Sequence, residues 1–175
     1  MEGPRPHATL FVPPPLSVEL DTIRRYFDPV FAAQMGIHAT LTYPEETPDG
    51  ALLAERLDEL GRWSGPLPLR LTEVAAYHDD PRQGVHVKVE DPTGAYVGAR
   101  AQLLAPPFDA HAVEEAQPHV TLVHPRTSDR GPDAWHQLKG MRFDADLLIE
   151  RVALIAFDGH GWPATKVVEL TGPAW

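Results

Sequence analysis

The chain has 175 residues, 43% hydrophobic and 23% charged, the composition of a folded protein of one domain or of two small lobes around a shared core. Its formal net charge of −10 argues against a broad electropositive surface, and so against binding long nucleic acids, which are held mainly by many Lys and Arg on phosphates. The absence of Cys removes disulfides, thiolate nucleophiles and cysteine-ligated zinc together. Residues 8–12 read as a strand that the Pro run 13–15 ends, and Ser17 is a candidate N-cap for a helix that Pro29 should kink or end. GIHATLTYP, residues 36–44, is a β-rich run whose exit is fixed by Pro44. From 51 to 63, Leu52, Leu53, Leu57 and Leu60 recur at helical spacing opposite Glu55, Arg56 and Glu59. Residues 67–77 read as a strand, 78–84 as a hairpin loop and 85–89 as the alternating return strand.

The second half repeats this order. It predicts a helix over about 93–105, the strand HVTLVHP at 119–125 after a Pro-rich loop, and a short helix through PDAWHQLKG with Pro132 in its first turn. Residues 147–157 are apolar enough for a central strand, DGHGWP is a turn, and ATKVVEL returns.

The pattern H-x-T-L-x-x-P occurs at 38–44 as HATLTYP, at 119–125 as HVTLVHP and at 7–13 as HATLFVP. Residue frequencies predict roughly 0.007 such matches in a shuffled chain. The repeated element order sorts the three copies. His7 precedes His38 by 31 positions and His86 precedes His119 by 33, so His7 aligns with His86, and His38 with His119. Only the second pair keeps Thr two residues on in both halves, because Lys88 stands where Thr9 predicts a Thr.

Side chains alternate faces along a strand, so His38 and Thr40 project together, as do His119 and Thr121. If the halves pack about a pseudo-twofold axis, the two pairs meet across a cleft. Two facing imidazoles suit in-line phosphoryl chemistry: the neutral one takes a proton from the nucleophile and the charged one gives a proton to the leaving oxygen. The Thr hydroxyls can donate to the non-bridging phosphate oxygens. This scheme requires no metal or cofactor. The likeness of the halves leaves open which His is acid and which is base.

These residues resemble the two-histidine (2H) phosphoesterases, which include the 2′-5′ RNA ligases and the 2′,3′-cyclic nucleotide phosphodiesterases. The resemblance rests on His38-Ala39-Thr40-Leu41 and His119-Val120-Thr121-Leu122, on PHVTL after a Pro-rich loop, and on the closing strand, turn and strand. It implies a bilobal, duplicated α+β fold, with two antiparallel sheets and flanking helices about a central cleft. It also implies a phosphoric diester hydrolase, with His38, Thr40, His119 and Thr121 as the catalytic set. The expected substrate is a 2′,3′-cyclic phosphate or a related small cyclic nucleotide or ADP-ribose ester, opened by water. Processing or ligation of RNA ends and a non-catalytic nucleotide-binding module are the rival readings.

Around the motifs, Tyr43, His124 and Arg126 are candidate substrate contacts, with Trp135 either a base-stacking or a packing residue and Arg130 a second nearby cation. His78, His111, His136 and His160 read as surface or core histidines, and Glu114 and Glu115 as a solvated loop. The expected partner is a small nucleotide or an RNA end. No apolar run approaches the roughly 18 residues of a membrane span, and the first residues lack the features of a signal peptide, so a cytoplasmic monomer without membrane contact is expected.

Overall fold

The computed structural model describes residues 5–77, 81–108 and 117–175; His78, His111, Glu114 and Glu115 lie outside the described residues. Strand β1, His7–Phe11, closes at the Pro run, and helix α1, Leu16–Phe27, buries Leu20, Arg24 and Phe27 on one face. The helix begins ahead of Ser17. Pro15 is its N-cap, already at helical angles, and no side chain caps it. Proline's fixed φ presets the turn that a serine cap was expected to make.

Asp28 ends α1 and caps α2, Pro29–Gln34, by accepting a hydrogen bond from the Phe31 amide. The β-rich run beyond it yields only a short strand, β2, His38–Thr40, because Leu41 and Thr42 both donate to the carbonyl of Ala8 and the chain then turns. Helix α3, Gly50–Trp63, starts where Asp49 accepts from the amides of Ala51 and Leu52, and it buries Leu53, Leu57 and Leu60. Strands β3, Leu67–Ala76, and β4, Val85–Glu90, form the expected hairpin. Helix α4, Ala95–Leu103, strand β5, His119–Val123, and helix α5, Gly131–Leu138, follow in the expected order.

The segment read as one central strand over 147–157 is two strands with different partners. β6, Arg142–Ile149, pairs with β3 at one edge of the sheet, while β7, Arg151–Ile155, lies between β1 and β8, Ala164–Glu169, at the other. Both stretches are apolar and extended, and hydrophobicity carries no information about which neighbour an extended segment meets.

The strands form one antiparallel sheet ordered β6-β3-β4-β5-β2-β1-β7-β8, rather than two separate sheets. Its two four-stranded halves join between β5 and β2 through the pairing of Ala39 with Val120. The order reads the same from either edge when β5 exchanges with β2, β4 with β1, β3 with β7 and β6 with β8. The first three exchanges are those the sequence repeat matches. Helices pack against both halves, α1 on β5, α3 on β7 and β8, α4 on β3, and α5 on β3 and β4. Alternation then divides the strand residues: Ala8, Leu10, Ala39, Val87 and Val120 enter the core, and the residues between them face the other side. Among the described residues no helix is long and apolar enough to cross a membrane.

Candidate active site

Antiparallel pairing of Ala39 with Val120 sets His38 alongside Thr121 and Thr40 alongside His119. Each imidazole therefore has the hydroxyl of the other half as its cross-strand neighbour. All four line one cleft of about 1260 Å³. Tyr43, His124 and Arg126 line it too, so the three residues expected to contact substrate share the cavity with the motifs. Trp135 instead packs half-buried against the core, and Arg130 is engaged by the Tyr26 carbonyl and Asp133. His136 and His160 are exposed.

Both imidazoles are oriented in the same way. Nδ1 of His38 lies 2.8 Å from the carbonyl oxygen of Gly36, and Nδ1 of His119 lies 2.9 Å from that of Gln117, in each case two residues earlier. A carbonyl can only accept, so each Nδ1 carries a proton and Nε2 is left for chemistry.

The junction that brings the motifs together also leaves their backbone short of ladder partners, since β2 and β5 share so little pairing. Side chains from the helices supply them. Arg24 of α1 reaches the Thr121 carbonyl, at 3.1 Å from Nε, and its Nη1 donates to Met35 at 2.9 Å and to Gly36 at 3.0 Å. From α4, the Tyr96 hydroxyl donates to the Thr40 carbonyl at 2.8 Å and Arg100 donates to the Leu41 carbonyl. Arg24 is fully buried, stacks over Phe31 and binds the same Gly36 carbonyl that orients His38. Burial lowers its pKa to about 10, which leaves it a cation at neutral pH.

The surroundings separate the two histidines. Burial, helped by the positive charge of Arg24, lowers the pKa of His38 to about 3. His119 is lowered as well, by burial, with the Gln117 hydrogen bond opposing the shift. His38 is walled by the rings of Phe31 and Phe11, whereas the Tyr77 hydroxyl lies 3.1 Å from Nε2 of His119.

Several cleft residues escaped the sequence reading. His7 and His86 are buried there, each lowered by burial to a pKa of about 4, and Nδ1 of each has no hydrogen-bond partner among the described residues. The third H-x-T copy signalled His7, whose strand could neighbour a motif strand and bring it near the cleft, whereas the repeat signalled His86 without implying a cleft position. Lys88 and Arg142 bring cations to the rim, where Glu73 binds both. Arg142 stands on β6, far from either motif, and only the sheet order places it here. Among the described residues, no group of three or more His, Asp or Glu is gathered to hold a metal ion.

A half-and-half antiparallel sheet whose two H-x-T strands meet at the centre of a cleft is the arrangement of the two-histidine phosphoesterases. Residues 12–161 match the profile of the 2′-5′ RNA ligase superfamily, and the chain belongs to that family. Its fold is shared with Escherichia coli LigT. The crystal structure with NADP+ superposes with a TM-score of 0.66 at 16% identity over 97% of this chain and 99% of that one. The apo form gives 0.67 at 16% identity over 98% and 99%. A Thermus thermophilus protein gives 0.60 at 18% identity over 96% of this chain and 98% of its own. No curated protein matches the chain in sequence.

Proposed function

We propose that the protein is a metal-independent cyclic phosphodiesterase that opens a 2′,3′-cyclic phosphate, or a related small cyclic nucleotide, by water attack. The observation that carries this reading is the pair of imidazoles in one cleft, each fixed through Nδ1 and flanked by the hydroxyl of the other half. His38, whose lowered pKa keeps it neutral, takes a proton from water as the water oxygen attacks phosphorus. The bond from phosphorus to one ribose oxygen breaks on the opposite side, and that oxygen takes a proton supplied by His119. Thr40 and Thr121 donate to the non-bridging oxygens and hold the group in line. The product is a ribose phosphomonoester.

Two further observations support a small substrate. The net charge of −10 disfavours a long polyanion, and the rim cations Lys88 and Arg142 are already engaged by Glu73. Crystal structures of LigT contain phosphate, ATP and 3′-AMP, the last being a phosphomonoester of the kind that opening a cyclic phosphate would release.

The test is a turnover panel of 2′,3′-cyclic mononucleotides, RNA oligomers with cyclic ends and RNA ends competent for joining, with and without chelator. Hydrolysis of a cyclic mononucleotide at a rate indifferent to chelator is expected. Joining of RNA ends without hydrolysis would instead favour the ligase reading, and loss of activity to chelator with rescue by a divalent ion would overturn the metal-free scheme.

A further inference from the structure

The hydroxyl of Tyr77 touches the nitrogen of His119 that faces the substrate. Ala75 of β3 pairs with His86, and Ile155 of β7 pairs with His7; two residues after each stands an aromatic ring, Tyr77 in one half and Phe157 in the other. The two rings are not register equivalents, because Thr9 rather than His7 pairs with Thr40 while His86 pairs with Thr121; of the two, only Tyr77 carries a hydroxyl. Phe157 packs on Trp162, which in turn meets His7 edge-on. Tyr77 packs on His86, with ring centroids 4.4 Å apart, and presents its hydroxyl to Nε2 of His119 at 3.1 Å.

Both nitrogens of His119 are thereby occupied, Nδ1 by the Gln117 carbonyl and Nε2 by the phenol. A leaving oxygen approaching His119 along its Nε2 direction meets the phenol first. We propose that Tyr77 is a third catalytic side chain, which relays the proton of His119 to the leaving oxygen and so gives the paired-histidine site its direction. This rests on the cyclic phosphodiesterase reading above.

The relay conserves protons. In the charged form of His119, Nε2–H donates to the phenol oxygen and the phenol O–H donates to the leaving oxygen. As the bond from phosphorus to that oxygen breaks, the oxygen takes the phenol proton and the phenol takes the imidazolium proton. Tyr77 ends as it began. The net transfer is one proton from His119 to the leaving group, matched by the proton His38 takes from water. Burial raises the phenol pKa to about 12, so Tyr77 remains a protonated donor throughout the working range.

The test compares wild type, Tyr77→Phe and His119→Ala on two substrates. One is a 2′,3′-cyclic mononucleotide, whose leaving alkoxide needs a proton. The other is bis(p-nitrophenyl) phosphate, whose leaving phenolate does not. Tyr77→Phe, which copies the ring of Phe157, should lower kcat on the cyclic nucleotide by roughly 10- to 100-fold with little change in KM, and leave the nitrophenyl ester within about twofold of wild type. Equal losses on both substrates would reduce Tyr77 to a packing residue, and no loss on the cyclic nucleotide would remove the relay while His119→Ala still tested the paired mechanism. If wild type opens no cyclic phosphate, the phosphodiesterase reading fails and the relay fails with it.

Discussion

The half of the sheet around His38 and the half around His119 carry the same motif in different surroundings. His38 sits in a wall of Phe11 and Phe31 with a buried guanidinium behind it, while His119 is only partly covered and is met by Tyr77, His86 and the Lys88 strand position. The two imidazoles stand in the same motif, and the residues around them make them unequal. A site that uses one neutral and one charged histidine at the same pH gains from such divergence, because unequal surroundings fix which ring holds the proton.

On the paired mechanism both halves should be needed even though they differ. His38→Ala and His119→Ala should each lower turnover by on the order of 10²- to 10⁴-fold, with circular dichroism unchanged. A variant at either position that keeps wild-type turnover would break the pairing.

The next effect concerns the braces. Arg24→Met removes the donors to the buried carbonyls of Thr121, Met35 and Gly36 and should destabilise the fold by about 3 kcal/mol or more in urea denaturation. It should also raise the pKa of His38 by removing the positive charge beside it. On the other side, Tyr96→Phe removes one donor, to the Thr40 carbonyl, and should cost about 1 to 2 kcal/mol. Equal costs for the two would mean that the halves are braced alike.

The smallest effect is expected at His7. It lies in the cleft, but the spacing that aligned it with His86 is out of register by two residues in the sheet: Thr9, not His7, pairs with Thr40, whereas His86 itself pairs with Thr121. His7→Ala should keep most of the activity, with a modest rise in KM from the lost contact with Trp162. A collapse in turnover like that of His38→Ala would place His7 in the catalytic set.

What the sequence conveyed follows from how local each feature is. The H-x-T strands, the Leu-spaced helix at 51–63 and the break at Pro29 are written in neighbouring residues, and Tyr43, His124 and Arg126 reach the cleft because they leave it directly after a motif strand. Arg24 and Tyr77 depend on contacts across the sheet. Arg24 looks like any cation on an amphipathic helix until β5 is known to pair with β2 only at Val120, leaving the Thr121 carbonyl for the guanidinium. Tyr77 gains its meaning from a histidine 42 positions away in the chain. The split of 147–157 into β6 and β7 was hidden for the same reason, since its two parts differ in partner and not in composition.

The central claim, that equal motifs have been given opposite tasks, is tested most directly by the pH dependence of kcat/KM on a 2′,3′-cyclic mononucleotide for wild type, His38→Ala and His119→Ala. His38 must be neutral, so activity rises as pH climbs through its lowered pKa of about 3. His119 must be charged, so activity falls as pH climbs through a pKa below the ordinary histidine value of about 6.5. Wild type should therefore give a bell with its maximum on the acid side of neutrality. The residual activity of His38→Ala should lose the rising limb, and that of His119→Ala the falling limb. A maximum above pH 7, or the two limbs lost in the opposite variants, would contradict the assignment.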